Sequence, residues 1–275
     1  MDIVETQSGN IPRLGLGTWQ LSGDACSEIV SHAIDVGYRH IDTAAMYDNE
    51  MAVGEGIRAA SVDRSELFVT TKVWFDRIDD GDLQRSAEES LARLRLDFVD
   101  LLLIHWPNPD IPLENSIRAL CDAKSSGLAQ AIGVSNFPSL HLRRAVSLAT
   151  EPIVCDQVEY HPYLTQKSVL AACRAHGMAM TAYAPVAKGK VADDPVIRDI
   201  ADMRGLTPGQ VTIAWLMGQD NVVAIPKTAS RSRLVENLAG SKVILTDTEM
   251  ARISALGSPS GRMVNLNFAP QWDPD

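Results

Sequence analysis

Two residues that could act on one ligand, an acid and a phenol, lie close together within residues 37–54. Asp42 lies near the end of a short run of strand-forming residues, 39–43, and Tyr47 follows it in a loop before a helix that we expect to begin near Glu50. A carboxylate at a strand end and a phenol on the next loop can meet in one site. The same two residues could instead only cap the helix and cover the surface.

Lys72 and His105 each follow an apolar run, so both are predicted at the ends of later buried strands. A buried lysine must have its charge paired or lose it, and Asp42 is available if the two strands are adjacent. Tyr47 would then lie near the ammonium group. That charge lowers the pKa of the phenol from its ordinary value of about 10 and makes Tyr47 a general acid. His105, as a neutral donor, could orient the substrate oxygen.

Each of these residues also has another interpretation. Lys72 and Asp42 could form a buried ion pair without any reaction, and His105 could be a core histidine with satisfied hydrogen bonds. Lys72 could also form a Schiff base in a barrel lyase. We favour the general acid, because four such groups are not expected to meet by chance.

The elements that would bring these residues together are eight short strands that alternate with helical patterns. Residues 3–12 predict a preceding hairpin that turns at residues 8–10. Thr207 and Thr246 each begin a further helix with a capping box. The eight strand-forming runs are residues 14–17, 40–43, 67–73, 99–105, 131–135, 153–158, 178–183 and 222–225.

Strands that alternate with helices predict a parallel sheet, either closed as a (β/α)₈ barrel or open and doubly wound. Asp42, Lys72, His105 and Asn136 end successive strands at intervals of 30, 33 and 31 residues. This is close to one unit of an eightfold barrel of about 250 residues, in which all strand ends share one mouth. We therefore predict an α/β protein with one domain, residues 1–275: a TIM barrel with an N-terminal hairpin and extra helices near the C-terminus.

The composition limits the partners of the protein. Its 275 residues carry a net charge of −10, with a pI near 5.1, which argues against nucleic acid and anionic membranes. No run reaches the roughly 18 apolar residues of a membrane span, and the first residues lack a signal-peptide pattern. The four cysteines are scattered, as in a reducing compartment. We expect a cytoplasmic monomer that acts on a small molecule without a metal.

A nucleotide would have to be held without a Rossmann turn, since Gly15-Leu16-Gly17 lacks the third glycine of the G-x-G-x-x-G motif. The candidate is a basic segment, residues 225–233, that lies between the last strand and a helix. Its three cations, its hydroxyl groups and the helix N-terminus together suit a phosphate group. By itself the motif is weak, because basic residues near a helix start are often only solvated.

Taken in order, these residues resemble the aldo-keto reductase family, and the resemblance covers essentially the whole chain. Residues 37–54 are similar to the first signature of the family. The short loops and the C-terminal sequence around Trp272 are most similar to the bacterial branch of diketo-gluconate and methylglyoxal reductases. The later matching motifs are Thr71-Lys72, Ile104-His105-Trp106-Pro107, residues 133–137, Gln157, Tyr160-His161-Pro162 and Ile225-Pro226-Lys227.

The resemblance implies a (β/α)₈ barrel that binds NADPH and transfers a hydride to an aldehyde or ketone, such as a short dicarbonyl or a keto-sugar acid. Tyr47 would be the proton donor, tuned by Lys72 and Asp42. His105 would orient the carbonyl group. The implied cofactor contacts are Thr18, Trp19 and Asp42; Ser135, Asn136 and Gln157 at the carboxamide; Tyr183 on the nicotinamide face; Lys227, Thr228 and Arg233 at the 2′-phosphate; and Glu236 and Asn237 at the adenine.

Two positions depart from the family pattern. Ala184 stands where many members have serine, which puts one pyrophosphate contact in doubt, and Thr228 replaces a common serine but keeps a hydroxyl group. A non-catalytic nucleotide-binding subunit on the same fold is the main alternative. The intact set of Tyr47, Lys72 and His105 argues against it.

An apolar substrate pocket is predicted from Trp19, Trp74 and Trp106, which lie at strand ends beside Tyr47 and His105. Trp74 would share a strand face with Lys72 if that strand continues far enough. Ordinary core packing of the tryptophans is the alternative.

The C-terminal tail, from Gly261 onward, is predicted to cover this pocket. It follows the last capped helix and has no period of its own, and apolar side chains in such a segment need a surface to cover. The resemblance indicates that this surface is the barrel mouth, and a frayed terminus is the alternative. The apolar side chains of the tail are Met263, Val264, Leu266, Phe268 and Trp272.

Overall fold

Eight parallel strands form one curled sheet in the computed structural model, which describes residues 2–275. Neighbouring strands of this sheet are also consecutive in the chain, which is not the order of a doubly wound sheet. The strands are β3 (Leu16–Gly17), β4 (His40–Asp42), β5 (Phe68–Val73), β6 (Val99–Ile104), β7 (Ala129–Ser135), β8 (Ile153–Glu159), β9 (Ala179–Tyr183) and β10 (Val222–Ala224).

The two edges of this sheet are also joined to each other. Parallel bridges link Leu14 to Ala224 and Gly17 to Lys227. The amide of Gly15 donates to the carbonyl oxygen of Ala224 at 2.9 Å. All eight predicted strands are confirmed, with ends that differ by at most two residues. The carboxyl ends of the strands therefore lie together at one end of the sheet, which we call the mouth.

Helices follow the strands and cover the outside of the sheet. The capping boxes predicted at Thr207 and Thr246 are confirmed, and each begins a helix beyond the single helix expected per strand. The helices are α1 (Gly23–Val36), α2 (Glu50–Ala59), α3 (Asp82–Leu94), α4 (Leu113–Ser125), α5 (Ser139–Leu148), α6 (Lys167–Ala175), α7 (Pro195–Arg204), α8 (Pro208–Met217), α9 (Arg231–Gly240) and α10 (Asp247–Ser254). Among residues 2–275 there is no helix whose length and hydropathy would let it cross a membrane.

The N-terminal hairpin is present, but its turn lies one position earlier than predicted. Strands β1 (Ile3–Thr6) and β2 (Gly9–Pro12) pair with Thr6 opposite Gly9, so only Gln7 and Ser8 form the turn. The Thr6 hydroxyl group donates to the carbonyl oxygen of Gly9 at 2.6 Å and holds this register. A turn at residues 8–10 is therefore wrong.

The core has two parts, because side chains of a strand point alternately to the two faces of the sheet. On β6, Leu102 and Ile104 pack outward against the helices, whereas Leu101 and Leu103 fill the inside of the curled sheet. Val4 and Ile11 of the hairpin pack with the inner residues. The packed interior leaves the polar strand ends at the mouth as the place for chemistry.

Candidate active site

Lys72 lies at the centre of the candidate site. Its Nζ atom is 2.6 Å from Oδ1 of Asp42 and 2.7 Å from the backbone oxygen of Thr43. Both charged side chains are buried, and each would be costly without the other. Strands β4 and β5 are adjacent and parallel, so they bring the two groups together as the sequence predicted.

Tyr47 lies at the end of a short 3₁₀ helix, Ala45–Tyr47, that follows β4. Its hydroxyl group is 3.3 Å from Nζ of Lys72, and the same Nζ lies 4.8 Å from the centre of the phenol ring. The Tyr47 ring contacts the imidazole of His105 edge to face, with 5.6 Å between ring centroids. The structure thus brings together all four predicted catalytic residues, Asp42, Tyr47, Lys72 and His105.

Burial governs the protonation states in this cluster. Burial raises the pKa of Tyr47 more than the Lys72 ammonium lowers it, so the pKa lies above the ordinary value for tyrosine. The predicted net lowering is therefore wrong in this structure, because the phenol loses hydration as well as gaining a cation. Burial pulls the pKa of Lys72 down, but the charges of Asp42 and Tyr47 outweigh it and the pKa is raised. At neutral pH Tyr47 keeps its proton and Lys72 its charge.

His105 directly follows β6 and is buried beside this pair. Burial, aided by the charge of Lys72, puts its pKa well below the ordinary value for histidine. The imidazole is therefore neutral, as predicted. Its Nδ1 atom has no hydrogen-bond partner within residues 2–275, which is uncommon for a buried polar atom. The ring is held by aromatic contacts and is not committed to a hydrogen bond through Nδ1.

The residues predicted to hold a carboxamide form a hydrogen-bonded row along the ends of β7 and β8. Ser135 Oγ donates to the backbone oxygen of Gln157 at 2.7 Å, and the Gln157 side chain donates to Oδ2 of Asp42 at 2.7 Å. Asn136 donates to Ser135 Oγ and accepts from the hydroxyl group of Tyr183 at 2.9 Å. Both carboxylate oxygens of Asp42 are thus bonded, one toward Lys72 and the other toward this row.

Sequence reasoning missed the side chain that fixes the loop around Tyr47. The buried amide of Asn49 donates to the carbonyl oxygens of Thr18 (2.9 Å) and Leu21 (3.0 Å) and accepts from Thr43 Oγ1 (2.7 Å). In the sequence, the only indication of this role was the position of Asn49 between Tyr47 and α2. Thr18 is itself fully buried, and its hydroxyl group donates to the backbone oxygen of Asp42. Thr18 therefore holds Asp42 and presents no free side-chain donor to a cofactor.

Aromatic rings form a wall beside the reactive groups. Trp19 is 46% exposed and its ring centroid lies 4.8 Å from that of Tyr47, whereas Trp74 contacts His105 at 5.0 Å. Strand β5 ends at Val73, so Trp74 does not share a strand face with Lys72 as was considered. Trp106 is buried. The three tryptophans lie at strand ends, as predicted.

The C-terminal tail packs on this wall. The Phe268 ring stacks on Phe75 at 4.0 Å and contacts Trp74 and Trp106 at 5.9 Å each, while Trp272 contacts Trp106 at 6.0 Å. The tail segment 268–271 also closes one side of a cavity of about 320 Å³ that lies between the loop after β6 and helix α5. The tail is therefore packed on the protein rather than frayed, and its role in shaping a substrate pocket stays a prediction.

The basic segment lies open beyond β10. Lys227 and Arg233 are exposed, and neither forms an ion pair with any of the described residues. Ser230 caps α9 by accepting from the amide of Arg233, and Thr228 accepts from the amide of Ser230 at 3.0 Å. A helix N-terminus with unpaired cations around it is a suitable site for a phosphate group.

The two residues predicted to contact the adenine already interact with other side chains of the protein. Glu236 accepts a hydrogen bond from Thr207 Oγ1 at 2.6 Å, and Asn237 is buried beside Tyr38. Ala184 has a φ of +49°, in the left-handed region that is unusual for alanine. Within residues 2–275, no group of His, Cys, Asp or Glu side chains is arranged to hold a metal ion.

The curled parallel sheet carries Asp42, Tyr47, Lys72 and His105 at its mouth, as the resemblance to the aldo-keto reductases implied. A model of the Aldo/keto reductase family matches residues 13–258, and the chain belongs to that family. This confirms the predicted oxidoreductase, and it does not support the alternative of a non-catalytic subunit.

Several relatives match almost the whole chain. Methylglyoxal reductase DkgB of Escherichia coli O157:H7 is 40% identical over 266 residues, which cover 96% of this chain and 99% of that protein. A solved structure provisionally named 2,5-diketo-D-gluconic acid reductase B has a TM-score of 0.95 at 42% identity, covering 99% and 98% of the two chains. A variant of Gox0644 in complex with NADPH has a TM-score of 0.89 at 35% identity over 96% of each chain. The predicted cofactor is thereby confirmed at the level of the family.

Proposed function

We propose that this protein reduces short dicarbonyls and keto-sugar acids to alcohols with NADPH, and that Tyr47 is the general acid. The observation that carries this proposal is the position of Lys72 Nζ, 2.6 Å from Asp42 and 3.3 Å from the hydroxyl group of Tyr47. A charged lysine beside a phenol stabilises the phenolate that remains after proton donation. The neutral imidazole of His105, in contact with the Tyr47 ring, suits a donor that orients a carbonyl oxygen.

The residues present fit NADPH. The exposed cations Lys227 and Arg233 at the N-terminus of α9 would hold the 2′-phosphate. Tyr183 and the row of Ser135, Asn136 and Gln157 would hold the nicotinamide. When bound, this cofactor supplies the hydride. Thr228, Glu236 and Asn237 would complete the adenosine end.

Tyr47 has to donate its proton as charge develops on the carbonyl oxygen. Its raised pKa keeps the hydroxyl group protonated until that moment, and Lys72 then lies close enough to stabilise the phenolate. Asp42 holds Lys72 in its charged form. This arrangement disfavours a Schiff-base lyase, which would need Lys72 as a neutral amine.

Several further properties belong to the proposal. The bridges between the two sheet edges support a (β/α)₈ barrel, and a sheet that runs from residue 16 to residue 224 supports a single domain of residues 1–275. The net charge of −10 favours a monomer without nucleic-acid partners. The four cysteines are free and buried, which suits a cytoplasmic protein.

The proposal that the substrate is small rests on the aromatic side chains at the mouth. Trp19, Trp74 and Trp106 form an apolar wall, on which Phe268 packs against Trp74 and Trp106 and Trp272 packs against Trp106. Such a wall suits small carbonyl compounds. The named activity of the methylglyoxal reductases that this chain is similar to supports the same substrate class.

A screen of NADPH oxidation across methylglyoxal, keto-sugar acids, aromatic aldehydes and steroid ketones tests the proposal. We expect the highest kcat/KM for small dicarbonyls or keto-sugar acids. NADPH binding without turnover on any carbonyl would favour a non-catalytic subunit. A borohydride-trapped adduct at Lys72 that forms with substrate would favour a lyase.

A further inference from the structure

The carboxylate of Glu159 is fully buried at the end of β8, and the catalytic mechanism does not use it. Its oxygens accept hydrogen bonds from the backbone amides of Met263 (2.8 Å) and Val264 (2.9 Å). The Nε2 atom of His161 lies 3.0 Å from Oε1. Two of its three close donors therefore come from the tail, more than 100 residues later in the chain.

The position of Glu159 on β8 connects it to the cofactor side of the mouth. It follows Gln157 by two residues, so both side chains lie on the same face of the strand. In the sheet register Glu159 is opposite Tyr183, whose hydroxyl group donates to Asn136. The anchor therefore lies next to the predicted nicotinamide site, but the Glu159 carboxylate forms its hydrogen bonds with His161 and the tail and not with that site.

Arg262 connects the Glu159 anchor with the aromatic part of the tail. Its guanidinium lies 3.5 Å from the centroid of the Trp272 ring, and Nη1 is 4.0 Å from Oε2 of Glu159. Trp272 in turn packs on Trp106 at the mouth. The far end of the tail has a separate attachment, because Asp273 accepts from the amide and hydroxyl groups of Ser139, each at 2.8 Å.

Between these two attachments the tail has no regular secondary structure. The residues 265–267 are exposed, and Phe268 packs against Phe75, Trp74 and Trp106. The place of Phe268 at the mouth therefore depends on where the two ends are held. A buried carboxylate is a strong anchor, since leaving it without donors is costly.

We propose that Glu159 is a positioning residue that sets substrate specificity, because its carboxylate fixes the start of the tail and thereby the place of Phe268 over the active site. This inference rests on the proposed function, since the mouth must be the substrate site. Glu159 acts through the tail and does not touch the substrate.

The test compares Glu159→Gln with a matched control, Glu249→Gln. Glutamine keeps the size of the side chain, but its amide group can accept from only one of the two tail amides. Glu249 is also a buried carboxylate with two strong donors, Arg204 and the amide of Thr246, but it lies on α10 and does not contact the tail segment 263–264. Both variants lose charge-assisted hydrogen bonds, and only one loses the anchor.

Hydrogen exchange of the tail is the first measurement. In Glu159→Gln, amides of residues 263–272 should exchange about 10- to 100-fold faster, because local opening becomes easier. In Glu249→Gln they should not change. Tail exchange that is equal in both variants would overturn the anchor. If Glu159→Gln does not fold, Glu159→Asp, which keeps the charge but is one methylene shorter, should change exchange in the same direction.

Substrate ranking is the second measurement. In Glu159→Gln, the ratio of kcat/KM for a bulky aromatic aldehyde to that for methylglyoxal should rise about 5- to 10-fold, with the NADPH Kd within about twofold. The effect should disappear in a Phe268→Ala background, because the anchor works through Phe268. An unchanged ranking, or the same shift in Glu249→Gln, would refute the proposal. Failure of the unmutated protein to oxidise NADPH would instead refute the proposed function, and the exchange measurement would still decide the anchor.

Discussion

Two regions at the mouth of the sheet are built in opposite ways: the cluster around Lys72 and the basic segment, residues 225–233. At the cluster, Lys72 is fully buried and its Nζ contacts Asp42, Thr43 and Tyr47. At the basic segment, Lys227 and Arg233 are exposed and form no ion pair within residues 2–275. In the first region the charged groups are paired with each other, and in the second the cations are open to solvent and to a ligand.

This difference follows from what each region has to do. Proton donation needs groups that are already oriented when charge develops, so the protein itself must fix them. Phosphate recognition needs cations that stay hydrated until the anion arrives, since burying them beforehand would be costly. Substitutions in the cluster should therefore affect the rate, and substitutions in the basic segment should affect cofactor affinity.

Tyr47→Phe should have the largest effect and would test the catalytic half of this comparison. It removes the proton donor and leaves the ring and its neighbours in place, so we expect carbonyl reduction to fall by roughly 10²–10⁴-fold. The NADPH Kd should stay nearly unchanged. Steady-state rates and a fluorescence titration with NADPH measure the two quantities.

Tyr160→Phe is a matched control for the loss of activity expected in Tyr47→Phe. The Tyr160 hydroxyl group donates to Gln219 at 2.7 Å, away from the cluster, so this variant also loses one part-buried hydrogen bond. Its turnover should be close to that of the unmutated protein. Near-full activity in Tyr47→Phe would show that this phenol is not the general acid.

The double variant Lys227→Ala/Arg233→Ala tests the cofactor-binding half of the comparison. Charge-assisted bonds are worth about 1.5–3 kcal/mol each. Two of them, discounted for exposure, give a preference for NADPH over NADH of roughly 10²–10³-fold. The double variant should lose most of this preference and keep its turnover number with saturating cofactor. Dissociation constants for both cofactors, measured at one fixed salt concentration, provide the test.

Arg231→Ala is the control for the basic segment. Arg231 lies on the same first turn of α9, but its guanidinium is paired with Glu28 at 3.3 Å. If unpaired cations define the phosphate site, this variant should keep most of the NADPH preference. Equal affinity of the unmutated protein for NADPH and NADH would contradict the assignment of Lys227 and Arg233.

The strands and the geometry of the cluster around Lys72 could be predicted because their signals are local. Short apolar runs predicted the strand ends to within two residues, and the polar residues at those ends were expected to meet because the parallel sheet was predicted to close into a barrel. The direction of the Tyr47 pKa was wrong, since it depends on how much water the folded protein removes from the phenol. Residue spacing alone carries no information about that quantity.

The long-range anchors could not be predicted. Glu159 owes its role to backbone amides at 263 and 264, and an unpatterned tail does not indicate which of its amides will face a distant carboxylate. The side-chain amide of Asn49 likewise donates hydrogen bonds to backbone oxygens of an earlier loop. Glu159 and Asn49 are polar residues next to recognised motifs, so the sequence could mark them as candidates. It could not indicate their hydrogen-bond partners.

Removal of the tail, residues 261–275, adds a third region to the comparison and should have the smallest effect. The tail contributes aromatic rings over the mouth, and its residues bear no part of the reactive cluster. We expect relative kcat/KM among carbonyl substrates to change by about 10-fold in favour of bulky ones, which is the scale of a lost apolar contact in a pocket. The NADPH dissociation constant should change little.

The truncation also leaves the Glu159 carboxylate without its two amide donors, so it could lower the stability of the protein as well as remove the aromatic wall. Two single substitutions in the tail separate these effects. Phe268→Ala removes one ring that packs on Trp74 and Trp106, and it should reproduce the change in ranking. Leu266→Ala removes an apolar side chain that is 38% exposed on the same tail, and the ranking should stay as it was. If the truncation leaves the ranking untouched, or mainly weakens NADPH binding, the tail is not part of the substrate pocket. The division between a fixed cluster around Lys72 and a separate specificity wall would then be wrong.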